Sequence, residues 1–249
     1  EGADIFLVIE ALKNNPMIEA VEPNGIIRTS FDPNDPYYTD GHQWALKNTG
    51  QNPPAGTSDA DIDAPEAWNI TQGSSNIIIA ILDTGIPMLN GSLSHPDLDD
   101  PNKIILGEDY TGDGEGVRDL YGHGTHVAGI ASAETNNSTG IAGVAGGCKI
   151  MVVQVFNSNG GGYWSWFKNG VIDAVDNGAK VINFSGGGGA SQEGYDAVAY
   201  ANSHNVLIAA AAGNYYADSV IYPAAYSVSF ANVIAVGATD QNDSRSSYS

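Results

Sequence analysis

The chain has 249 residues, 9 basic against 29 acidic side chains, a formal net charge of −20 and one cysteine. The length suits one main domain around a sizeable core, and the charge excludes the basic footprint that nucleic acid and anionic membranes require, while suiting a secreted protein, a salty habitat or bound cations. No apolar run approaches membrane-spanning length, and the lone Cys148, set among apolar neighbours, reads as a small buried hydrophobe.

Residues 1–30 stand apart. Residues 5–9 read as a short apolar strand, 10–15 as a short helix stopped by Pro16, and 18–21 as a half-buried strand. Such a piece cannot bury a core alone. From residue 31 to 65 the Asp-Pro, Asn-Asp-Pro and Pro-Pro turn signals predict an extended lead-in on the surface of a larger body. Residues 76–82 then form a continuous β-branched apolar run, the pattern of a strand buried on both faces. A small-residue helix follows at 123–134, a strand at 149–156 and a helix at 163–177. Beyond these come a strand at 180–184, a helix at 193–203, and strands at 206–212 and 233–238. Strands alternating with helices predict an α/β fold, a mainly parallel sheet flanked by helices.

The polar residues gather where these strands end. Asp83 follows one strand, Ser185-Gly186-Gly187 another and Gly213-Asn214 a third. In an open α/β sheet the ligand crevice lies outside the carboxyl ends of the strands. Asp83 alone also suits a turn cap, a metal ligand or a ribose contact. His123 and His126 are spaced as a metal pair could be, but no acid lies between them as in the helical zinc motif. His126 reads as a hydrogen-bonded packing residue. The glycine run after Ser185 lacks the helix that a phosphate loop needs. Taken together, a carboxylate beside an imidazole can activate a serine hydroxyl, and the Asn214 amide can donate to a developing oxyanion.

The segments Asp83-Thr84-Gly85 and Gly122-His123-Gly124-Thr125-His126 resemble the Asp and His motifs of the subtilases, the subtilisin-like serine peptidases, and of thermitase-like members in particular. Pro33-Asn34-Asp35-Pro36-Tyr37-Tyr38, residues 135–143, Ala210-Ala211-Ala212-Gly213-Asn214 and Tyr222-Pro223-Ala224 extend the likeness in the same order. The resemblance implies a serine endopeptidase acting on proteins or peptides, with Asp83 orienting, His123 as general base and Asn214 as oxyanion donor. It implies that Gly160, Gly161 and Gly162 and Ser185, Gly186 and Gly187 are two backbone edges for an extended substrate. Trp164 then lines a distal subsite, Ser185 to Gly187 together with Ala211, Ala212 and Gly213 wall the primary pocket, and Ile221 floors it. Asp218 is a less certain occupant of that pocket. Asp119 is the acid beside the base.

By the same resemblance a structural calcium is expected at Asp35, Asp97 and Asn137, with backbone oxygens of Glu134, Thr139 and Ile141. A second, weaker site falls near Asp109, Asp113 and Asp119, among Gly112, Gly114 and Gly116. Residues 1–30 resemble the end of an α+β inhibitory propeptide, an intramolecular inhibitor cut near residues 28–31, and residues 31–249 a catalytic domain. The segment carrying the nucleophile is expected beyond Ser249, and the complete protein is expected to be secreted. A peptide-binding pseudopeptidase and, more distantly, a zinc hydrolase are the alternatives.

Overall fold

A computed structural model describes residues 5–13, 15–23, 31–52, 54–214 and 219–249. The chain divides into two compact units, residues 1–30 and 31–249. In the first, the expected strand at 5–9 is instead the start of helix α1, Ile5–Lys13. Five consecutive apolar residues carry no period, so the pattern cannot separate a strand from a helix. A pair between Lys13 and Glu10 at 3.1 Å spans the last turn. Residues 18–21 form no strand, because no partner ladder among the described residues of this unit pairs with them.

The second unit opens with two short helices, α2 at Pro36–Thr39 and α3 at Ala64–Trp68. Its lead-in is less bare than its turn signals suggest. Tyr38, Leu46, Ala64 and Trp68 bury against Ala142, with Phe31 packed on them. The Trp68 indole donates to the Val144 carbonyl at 2.8 Å. The main sheet follows: β1 (Ile78–Asp83), β4 (Ile104–Asp109), β5 (Lys149–Gln154), β6 (Val181–Phe184), β7 (Leu207–Ala211) and β8 (Val233–Val236). A hairpin, β2 (Met88–Leu89) and β3 (Ser92–Leu93), lies outside it. The strand order is β4-β5-β1-β6-β7-β8, and every pairing is parallel.

Alternate residues of β1 divide the core into two. Ala80 and Leu82, with Met151 and Val153 of β5, pack under α5 (Trp164–Asp176) and α6 (Gln192–Ser203) through Phe167, Val171, Ala197 and Ala201. Ile81, Ile150 and Val152 face the other way, against Ala128 of α4 (His123–Ser132). β1 lies between β5 and β6, which are joined through α5, so its carboxyl end opens where the strand order reverses. The edge strand β4 carried no clear signal in the sequence.

Candidate active site

Asp83 ends β1 on the α4 face and is 1 % exposed. Its Oδ1 lies 2.6 Å from His123 Nδ1 and also accepts from the Thr84 amide at 2.8 Å. This contact puts the imidazole proton on Nδ1 and leaves the Nε2 lone pair for a substrate proton. Burial pushes the Asp83 carboxyl above its ordinary range, and the hydrogen bond from His123 offsets part of that rise.

Sequence explains how the histidine arrives. A Cβ on Gly124 would sit 2.5 Å from the Gly85 carbonyl oxygen, so the first turn of α4 can rest on the Asp83 turn only with glycine there. The Gly124 amide donates to Thr84 Oγ1 at 2.8 Å, and that hydroxyl donates to Asp119 Oδ1 at 2.9 Å. Asp119 also accepts from the amides of Tyr121, Gly122 and Thr125 and from the Thr125 hydroxyl. Burial alone would raise its pKa, but these donors outweigh it and hold the carboxyl below the ordinary value.

His123 opens onto a cavity of about 690 Å³ lined by Tyr121, Phe156, Gly160, Ser185, Gly186, Gly187, Ala211, Gly213, Asn214 and Ile221, among others. The ends of β1, β6 and β7 thus deliver Asp83, the Ser185 loop and Asn214 to one place. Ile221 stands between two glycines: a Cβ on Gly213, where φ is +121°, would lie 3.2 Å from its Cγ2, and one on Gly187 would lie 2.6 Å from its Cδ1. Gly162 and Trp164 line an adjoining cavity of about 210 Å³, with Phe156, Phe167 and Phe184. Gly161 and Ala212 line neither of these two cavities. Asp218 lies outside the described residues, as do residues 24–30 and hence most of the expected cleavage stretch. Among the described residues, no serine hydroxyl is hydrogen-bonded to His123.

Some expectations fail. His126 is exposed rather than packed, and no hydrogen bond to its ring is found among the described residues. It lines a cavity with His95, Asp97 and Ile141 instead. Asp119 is saturated by the His123 loop, so it cannot also serve Asp109 and Asp113. Asp109 accepts from Thr111, and Asp113 from the Ser158 amide. Phe156, Tyr121 and Thr84 were not foreseen. Phe156 looks like the end of a core strand, and only the glycines at 162 and 186, each too close to its ring for a Cβ, hint at its place.

Hydrogen bonds link the six expected calcium residues. Asp35 accepts from the Asn136 and Asn137 amides. Asp97 accepts from Asn137 Nδ2 and the Ile141 amide, and its carbonyl accepts from Glu134 N. Asn137 Oδ1 accepts from the Thr139 amide. Asp35 and Asp97 are 0 % and 2 % exposed, and among the described residues neither forms an ion pair. No group of three or more His, Cys, Asp or Glu side chains able to hold a metal occurs among the described residues.

The family model described as the Subtilase family matches residues 74–249. The chain belongs to the subtilase family. It is 42 % identical over 247 residues to the thermophilic serine proteinase of Bacillus sp. (strain AK1), covering 99 % of this chain and 55 % of that protein. It is 42 % identical over 220 residues to thermitase of Thermoactinomyces vulgaris, covering 88 % of this chain and 70 % of thermitase. The M-protease of Shouchella clausii (strain KSM-K16) is 38 % identical over 232 residues, 92 % of this chain and 56 % of that protease. The chain therefore spans little more than half the length of the first of these relatives. Family membership accounts for the parallel α/β sheet.

Proposed function

We propose that the protein is a serine endopeptidase in which Asp83 and His123 are the acid and base of an Asp-His-Ser triad. The observation that carries this reading is the 2.6 Å contact of a fully buried carboxylate with an imidazole that faces a long cavity. Asp83 fixes the tautomer and stabilises the imidazolium. His123 Nε2 takes the proton of the attacking hydroxyl and returns it to the leaving amine. The Asn214 amide donates to the oxyanion. The nucleophilic serine is assigned to sequence beyond these 249 residues, in keeping with the share of the relatives' length that the chain spans.

An extended peptide is read along Gly160–Gly162 on one side and Ser185–Gly187 on the other. A P1 side chain enters between Ala211–Gly213 and Ile221, and a distal apolar side chain meets Trp164. Residues 1–30 are read as the end of a propeptide that inhibits the enzyme until it is cut, and the complete product as secreted.

The buried pair Asp35 and Asp97 suits a structural cation. Two ionised carboxylates facing only dipoles are costly to bury. A site with so few charged side chains must draw on amide and backbone oxygens, which is calcium chemistry. Asp35, Asp97 and the Asn137 amide oxygen would hold it, with carbonyls of Glu134, Thr139 and Ile141. Bound there, calcium would fix the lead-in to the loop after α4.

The complete gene product, treated with a fluorophosphonate, is expected to lose peptidase activity as one serine is labelled. Peptide binding with no labelled serine would make it a pseudopeptidase instead. Loss of activity on removal of zinc would favour the metallohydrolase.

A further inference from the structure

Asp83 Oδ2 is buried and has no hydrogen-bond partner, and the same is true of Gln154 Oε1. The two residues are register partners across β1 and β5. In a parallel pair, partners project to the same face. Asp83 follows Ile81, and Gln154 follows Val152, both on the α4 side of the sheet. Each residue is 1 % exposed. In this orientation Nε2 points to the Phe156 carbonyl at 3.5 Å, the outer limit of a hydrogen bond. Turning the amide over would bring two oxygens together there and lose that bond.

Two neighbouring buried acceptors need two donors. One water molecule supplies both, and buried water characteristically satisfies otherwise unpaired polar groups. We propose that Gln154 is a positioning residue for Asp83, the two side chains holding one buried water that donates to Asp83 Oδ2 and to Gln154 Oε1. The water fixes the plane of the carboxylate, so that Oδ1 stays on His123. It also solvates an anion that burial would otherwise push towards its neutral form. A neutral Asp83 could not stabilise an imidazolium. Gln154 would thus act on the base through Asp83, without touching substrate. The effect on turnover rests on the peptidase reading, but the water site does not.

The test is a crystal structure of the complete gene product together with an NMR titration of His123. A solvent peak within hydrogen-bond distance of both oxygens is expected. Gln154→Met, which keeps length and removes the acceptor, is expected to lose that peak. With its carboxylate less solvated, Asp83 is pushed further towards its neutral form and stabilises the imidazolium less, so the His123 midpoint is expected to fall. Gln154→Glu keeps an acceptor and adds a charge, and is expected to keep the solvent peak and to raise the midpoint instead. It decides the matter if the methionine variant fails to fold. Direct contact of Gln154 Nε2 with Asp83 and no water between them would overturn the proposal. So would a His123 titration unmoved in both variants, even if melting temperatures fell. A water site and a shifted titration in a protein that no fluorophosphonate labels would leave this proposal standing and overturn only the peptidase reading.

Discussion

Two corners of the molecule bury carboxylates almost completely, and they do so in opposite ways. At the end of β1, Asp83 faces an imidazole, a group that changes charge near neutral pH. Against the loop after α4, Asp35 of the lead-in and Asp97 between β3 and β4 face only backbone amides and the Asn137 side chain. Lys103 lies near the second corner, but its ammonium donates to the carbonyls of Ala133 and Gly146. Burial lowers the pKa of this lysine. Burial alone therefore does not mark a catalytic acid. In the proposed peptidase the partner does: a titratable partner lets the charge assist proton transfer, and a set of dipoles suits the charge to a cation.

The first corner can be broken most severely. In the complete gene product, Asp83→Ala and His123→Ala are each expected to cut turnover by about 10⁴-fold or more with little change in melting temperature. Steady-state kinetics on a peptide substrate reads this directly. Near-normal turnover in either variant would mean that the 2.6 Å contact is only structural. The second corner is expected to yield in stability instead. A cation present at about 100 times its dissociation constant stabilises by about 2.7 kcal/mol. For a domain of this size that is a shift of about 5–10 °C. Chelation is expected to lower the melting temperature by that order, and Asp97→Ala to abolish the response. A melting curve unchanged in excess chelator, with calcium confirmed absent, would remove calcium from this corner.

The two corners also differ in how far the sequence displayed them. Asp83, His123 and Asn214 stand at strand and helix ends, where a change of pattern announces them. Ile78–Asp83 and Val181–Phe184 were legible because a strand buried on both faces is apolar throughout. The edge strand Ile104–Asp109 was not, since Gly107, Glu108 and Asp109 interrupt it and only one side needs a neighbour. Helix α1 was misread because five apolar residues in a row have no phase. Gln154 and Phe156 stayed hidden for another reason. Each closes a core strand, and nothing local shows that Gln154 meets Asp83 across a ladder or that Phe156 separates two cavities.

Beside the first corner lies the cavity, and there Ile221 sharpens the reading of substrate. Its branched side chain sits between Gly187 and Gly213, and in the proposed peptidase it would make the P1 pocket shallow. Wild type is expected to favour medium apolar P1 residues, and Ile221→Ala to raise the kcat/KM ratio of Phe to Leu by about tenfold. That is within what small changes in an apolar pocket achieve. A peptide panel measures it. A strong preference for Arg in the wild type would mean that an acid, with Asp218 the candidate, sets specificity instead.

The smallest expected effect concerns Asp119, which sits beside the first corner yet is saturated with donors like the second. Burial would raise its carboxyl pKa, but the hydrogen bonds of the Thr125 hydroxyl and of the Gly122, Thr125 and Tyr121 amides outweigh that cost and hold it below the ordinary carboxylate value. A carboxyl whose folded-state pKa is depressed binds its proton more weakly in the folded chain than in the unfolded one. It therefore adds stability above the unfolded value, and that contribution is lost as pH falls through the folded value. Asp119→Asn removes the ionised form while keeping the size. The variant is expected to be less stable than wild type at pH 7, by no more than about 1 kcal/mol given the side chain's partial exposure. The difference is expected to shrink as pH falls below about 4 and to vanish once the wild-type carboxyl is protonated. Urea unfolding at a series of pH values checks this. A stability gap that stays constant down to pH 2 would mean that Asp119 contributes through the shape of its hydrogen bonds and not through its charge.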